Sequence, residues 1–156
     1  MTTWISAAII AANMAMPNTV SRVIYSEASP ICSSEERYLV ASVIKNRINH
    51  PGFGNGKLHN MTEVILQKGA FSCVNDSKNS NWKRSLTVHN KAMKLAIKLS
   101  TVDFKPYSGI VYYHDKSISK PKSWDNKYWR AIKVKETKHF IFYRIVPNTS
   151  TLIEVK

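Results

Sequence analysis

One short stretch, Asn18 to Pro30, constrains the fold of this chain more than any other. Val20, Val23 and Ile24 lie seven, four and three residues before Glu27, spacings that share one face of an α-helix. A carboxylate is therefore aimed the same way as an apolar stripe that must pack inward. Pro30 cannot continue a helix and biases Ser29 away from helical geometry, so Glu27 falls in the last turn, where the chain opens into a loop. Desolvation favours the protonated form of a carboxyl. An acid that is half buried yet reachable is what a general acid needs. The bland alternative is a Glu that only snorkels or caps.

Further along, Ser33 followed by Glu36 makes a capping box, and Leu39, Val40, Val43, Ile44 and Ile48 keep helical spacing until Pro51. Glu35 and Glu36 are explained as first-turn and cap residues. Pro51 to Gly56 is a loop by composition. Thr62 is expected to cap a short helix from Glu63 to Lys68, ended by Gly69. An irregular polar stretch from Phe71 leads to a long basic helix, roughly Asn81 to Ser100, with Leu86, Met93, Leu95, Ala96, Ile97 and Leu99 inward. From Asp103 the texture changes to short aromatic and β-branched runs: Ile110 to Tyr113, Ala131 to Val134, Phe140 to Ile145 and Leu152 to Val155. These read as strands, with Trp124 and Trp129 in the loop between the first two. The expected fold class is α+β, mainly helical over the N-terminal two thirds with a small β-rich C-terminal part.

A length of 156 residues suits a single domain spanning 1–156. Its first sixteen residues, with Trp4, Ile5, Ile9 and Ile10 among alanines, lack a basic flank and are too short to span a membrane. They read as an extra N-terminal helix over 1–17, with an export signal as the alternative. Against ten acids stand 23 Lys and Arg, a net charge of +13, which draws the chain to polyanions such as nucleic acid, anionic lipid or acidic wall polymers. No long basic run concentrates that charge, so it carries no specificity. Cys32 and Cys73 are too few for a disulfide scaffold or a Cys-type zinc site and read as buried free thiols.

With ten carboxylates, elimination is feasible. Glu63 begins a helix, Asp76, Asp103 and Asp125 sit in turn-like contexts, and Asp115, Glu136 and Glu154 lie near the ends of extended segments. Only Glu27 combines an apolar helical face with a helix end. His50, His59, His89, His114 and His139 show no metal-ligand spacing, and no metal or cofactor is expected. No nucleophile elbow or glycine-rich phosphate loop exists. Cys73 as a nucleophile with His114 or His139 is a weaker reading than a core cysteine. The rings of Tyr112, Tyr113, Trp124, Trp129, Phe142 and Tyr143 suit a sugar or base cleft, or simply a β-rich core.

An ordered set of motifs adds to this: Ser26-Glu27-Ala28, then Ile44-Lys45-Asn46-Arg47 running into His50-Pro51-Gly52-Phe53, then Phe71-Ser72-Cys73, Tyr112-Tyr113-His114, and His139 before Phe142-Tyr143. This series resembles the SleB-type cell wall hydrolases, spore-cortex-lytic enzymes and their bacterial and phage relatives, over a family-like core of 18–145. The resemblance implies a lysozyme-like domain that cleaves peptidoglycan between N-acetylmuramic acid and N-acetylglucosamine as a lytic transglycosylase. It implies one essential Glu, which falls on Glu27. Phe71, Ser72, Tyr113, His114, His139 and Tyr143 are the expected substrate-binding residues. Where the family commonly carries Gly-Glu after the Glu-Ala pair, this chain has Pro30-Ile31. Two residues rather than one separate His139 from Phe142.

The expected partners are peptidoglycan glycan strands, together with anionic envelope polymers held by net positive charge, and no specific nucleic acid. The expected state is a monomer acting at the bacterial wall, with a phage lysin made in the host cytoplasm as one origin. Three readings compete: a muramidase using water, a basic nucleic-acid-binding module, and a lysozyme-like shell kept only for binding.

Overall fold

The computed structural model describes residues 16–148; the expected N-terminal helix and the last strand, Leu152 to Val155, lie outside them. Helix α1, Thr19–Glu27, begins where the Asn18 side chain accepts the Ser21 N–H at 2.8 Å, as an N-cap should. It ends where Ala28 leaves helical geometry, two residues before Pro30. Val20, Val23, Ile24 and Tyr25 are all buried. Each of the three aliphatic side chains contributes roughly 1.5–3 kcal/mol of apolar burial. Four other helices pack around α1, so the helix carrying Glu27 is the hub of the helical half.

Helix α2, Ser34–Asn46, opens with the full capping box between Ser33 and Glu36. It stops four residues short of the position preceding Pro51, because its end is claimed by tertiary contacts. The Asn46 amide donates to the Tyr107 and Ile110 carbonyls, and Asn49 turns into left-handed geometry at φ 55°. The helix separates two cores. Ala41 and Ile44 face the α1 cluster, while Leu39, Val40 and Val43 meet Ile110, Phe140 and Phe142 of the sheet side.

Helix α3, Met61–Leu66, is capped by Asn60 rather than Thr62, with the Glu63 carboxylate accepting the His59 N–H at 2.7 Å. The expected long basic helix is two: α4, Ser80–Arg84, and α5, Lys91–Thr101. The break has local causes. The Ser85 hydroxyl turns back onto the Trp82 carbonyl at 2.6 Å, Arg22 donates to both, and the Asn90 side chain restarts the helix by accepting the Met93 N–H.

Three antiparallel strands, β1 (Tyr112–Asp115), β2 (Trp129–Glu136) and β3 (Phe140–Pro147), form a sheet in the order β1-β3-β2. Trp129 thus opens β2 instead of sitting in a loop. Trp124 closes a 3-10 turn, Lys122–Trp124. A shift of register between Lys133 and Lys135 bulges β2 and bends the hairpin. The fold is α+β, helices first and an antiparallel sheet at the C-terminal side. Cys32 and Cys73 are free and buried in different clusters. No described helix is long and apolar enough to cross a membrane.

Candidate active site

A groove of about 720 Å³ runs between the end of α1, the loop after α3 and the β1 edge. Glu27 lies in its wall because α1 ends there. One turn earlier, Val23 and Ile24 are fully buried, whereas Glu27 keeps partial access to solvent. Strand β1 supplies its main partner: the Tyr113 hydroxyl donates to Glu27 Oε2 at 2.5 Å. Burial, and then the Glu27 charge, push the Tyr113 hydroxyl well above the usual range, so it stays a donor. Burial, followed by the Glu27 charge, raises the Cys73 thiol far above an ordinary thiol. A thiol so disfavoured as thiolate is not a nucleophile.

The next strand residue, His114, points to the sheet side of the same groove. Its Nδ1 lies 2.7 Å from the Asp115 carbonyl and its Nε2 2.9 Å from the Tyr143 hydroxyl. A carbonyl only accepts, so Nδ1 carries the hydrogen, and in the neutral ring Nε2 accepts from Tyr143. Tyr143 stands behind His114 and is not in the groove wall. Phe71 and Ser72 do line the wall, Phe71 buried and Ser72 exposed.

His139 is elsewhere. Its ring Nδ1 lies 3.0 Å from Glu36 Oε2 and its backbone N–H donates to Glu36 Oε1 at 2.8 Å. Glu36 also accepts from Ser33 and Thr137. Burial pushes this carboxyl up, but the bonds from His139, Ser33 and Thr137 outweigh it and hold Glu36 down at about 2. The cap residue read from sequence is thus also the clamp that ties α2 to the β2–β3 hairpin. Cys32, Glu36 and His139 each offer one possible ligand atom within 4.8 Å of one another. Both Glu36 oxygens already accept bonds from Ser33, Thr137 and His139, which explains the cluster as an anchor between α2 and the hairpin.

Five groove residues lie outside the expected site set and read in the sequence only as motif members, generic rings or a strand-end acid. Tyr112 and Trp124 stack at 4.5 Å and 11°, a flat apolar face of the kind that sugars pack on. Phe53 meets Tyr112 edge-on at 5.4 Å. Asp115 sits at the groove rim, where Ser117 holds its carboxyl below the usual range. Arg47, the cap residue of α2, is buried against Phe53, Phe71 and Tyr112. No spacing signal marks it: it lies just past a helix end, and what buries it comes from distant segments.

A helical hub ending in a carboxyl, a small antiparallel sheet and an aromatic-lined open groove fit an enzyme acting on a polymer better than a nucleic-acid binder. The cell wall hydrolase family model matches residues 32–143, and the chain belongs to that family, whose members are enzymes of peptidoglycan degradation. The matched span begins beyond Glu27. Among solved structures, the catalytic domain of the Bacillus cereus SleB protein is similar in fold, with a TM-score of 0.54 and 21% identity over 80% of this chain and 86% of that one. None of the curated proteins matches the chain.

Proposed function

We propose that this protein cleaves peptidoglycan glycan strands between N-acetylmuramic acid and N-acetylglucosamine as a lytic transglycosylase, with Glu27 as acid and then base. The observation that carries this is the Glu27 carboxyl in the groove wall, oriented by the 2.5 Å bond from Tyr113. In the protonated enzyme Glu27 gives its proton to the glycosidic oxygen. Now anionic, it takes the proton of the muramic C6 hydroxyl, whose oxygen closes onto C1 as the leaving sugar departs. The product carries a 1,6-anhydro ring, and no water is consumed.

Tyr113 serves both halves. Its donor strengthens when Glu27 becomes anionic, so it stabilises the state after proton transfer more than the state before. The Tyr112–Trp124 face, Phe71 and Ser72 hold the sugars, and His114, fixed from behind by Tyr143, offers polar contact at the groove. His139 acts through Glu36 on the loop after Glu27 and is a positioning residue in this scheme. The net charge of +13 keeps the enzyme near anionic envelope polymers without choosing the bond. We propose a single domain working as a monomer at the bacterial wall, with a phage lysin as one origin.

One observation favours a second reading, hydrolysis by water. Asp115 lines the same groove and is ionised, so it is a candidate base for a water molecule. Mass spectrometry of released muropeptides separates the two, since the anhydro product is lighter by one water. Transglycosylation predicts anhydro ends, no activity in Glu27→Gln, and little change in Asp115→Asn. Reducing ends together with an inactive Asp115→Asn overturn it.

A further inference from the structure

Arg47 is 7% exposed. Its Nε donates to the Val111 carbonyl at 2.8 Å, and its guanidinium carbon lies 4.6 Å from the Phe53 ring centre and 5.5 Å from that of Tyr112. Among the described residues, its two terminal nitrogens have no acceptor and no carboxylate within ion-pair range. Glu27, in the same groove, is bonded by Tyr113 and acts on Arg47 through its charge without a hydrogen bond or ion pair. The terminal nitrogens are not sealed in, since Arg47 lines the groove and neither is among the fully buried, unpartnered atoms. A desolvated cation with two unused, coplanar donors is costly unless something meets it. The fork matches a carboxylate, whose two oxygens accept in parallel, far better than a single hydroxyl.

We propose that Arg47 is a carboxylate-binding subsite, and that its ligand is the 3-O-lactyl carboxylate of a muramic acid residue whose stem peptide has been removed. On a bare glycan strand this is the anion available. It stands on the same ring whose C1 bond Glu27 cleaves, which suits a subsite in the wall that holds Glu27. While a stem peptide is attached, the lactyl group is an amide and offers one neutral oxygen. The preferred substrate is therefore a peptide-free strand, a product of the class of reaction that hydrolyses the lactyl–peptide amide. This rests on the glycan-cleavage reading.

The test is binding to the Glu27→Gln protein of a tetrasaccharide of alternating N-acetylglucosamine and N-acetylmuramic acid. One sample carries free lactyl carboxylates and a second carries the same groups as methylamides, both titrated by calorimetry at physiological ionic strength. The free acid is expected to bind at least ~10-fold tighter, as a bidentate charged pair should. Arg47→Lys in the same background keeps the net charge and the aliphatic stem but lacks the fork, and should reduce the preference to within ~2-fold. Arg47→Gln should do the same where it folds. Equal affinity for the two sugars, no binding of either, or a preference that persists in Arg47→Lys overturns the subsite. Preferential binding by the Glu27→Gln protein, beside a wild type that leaves peptide-free glycan strands uncut, keeps the subsite and overturns the cleavage reading. Cleavage by wild type with equal affinities does the reverse.

Discussion

Removing the Glu36 carboxylate tests how the loop that follows Glu27 is fixed to the sheet. Glu36 is 2% exposed and takes bonds from Ser33, Thr137 and His139. Its carboxyl is held at about 2 against an ordinary 4.5. The sign comes from linkage: the unfolded chain binds the proton more tightly, so the folded state gains stability as pH rises through this window. The gain is complete above about pH 5 and is lost as pH falls toward 2. A depression of this size corresponds to about 3 kcal/mol at neutral pH. Glu36→Gln keeps the shape and can still bond Ser33, so its cost should approach that figure at pH 7 and fall to about half of it near pH 3. Urea unfolding of both proteins across pH 3 to 7 measures it, because the difference between the two curves cancels the other acids. A constant difference across that range, or a cost below about 0.5 kcal/mol at pH 7, refutes the clamp.

Other outcomes concern the groove. Tyr113→Phe removes the donor to Glu27 Oε2; a hydrogen bond to a charged group contributes about 1.5–3 kcal/mol, so kcat should fall ~10- to 100-fold with KM little changed, read in a turbidity assay on purified peptidoglycan. Trp124→Ala unstacks Tyr112 and should raise KM ~5- to 10-fold while leaving the anhydro product unchanged, on the scale of one aromatic contact. Cys73, buried and raised by burial and Glu27, should resist iodoacetamide in the native protein and react on unfolding. Rapid native modification with loss of activity would point to the nucleophile role rejected above.

The helix around Glu27 was legible because its signals are local: Asn18 to start it, a three-and-four spacing to face it inward, Pro30 to keep it from running on. The capping box at Ser33 and Glu36, and the order of helices before strands, were legible for the same reason. The break between α4 and α5 was missed although Asn90 is a good cap residue. The apolar spacing continued across it, and what interrupts the helix is a cross-chain bond from Arg22 to Ser85 at 2.9 Å. The cap of α3 was misplaced by two residues between two acceptable cap types, Asn60 and Thr62.

Residue types and short-range periodicity by themselves determined most of the elements, the fold class and the choice of Glu27 among ten acids. Tertiary structure alone decided what that acid meets. Tyr113 reaches it from 86 residues away, and Glu36 finds His139 across 103. Hydrogen bonds and desolvation act through space, so the partners that orient a carboxyl or strand a guanidinium leave no period in the sequence. That is why His139 lies at an anchor rather than in the groove, and why Arg47, in the sequence only the end of a motif, proves to be a buried groove cation once the chain has closed around it.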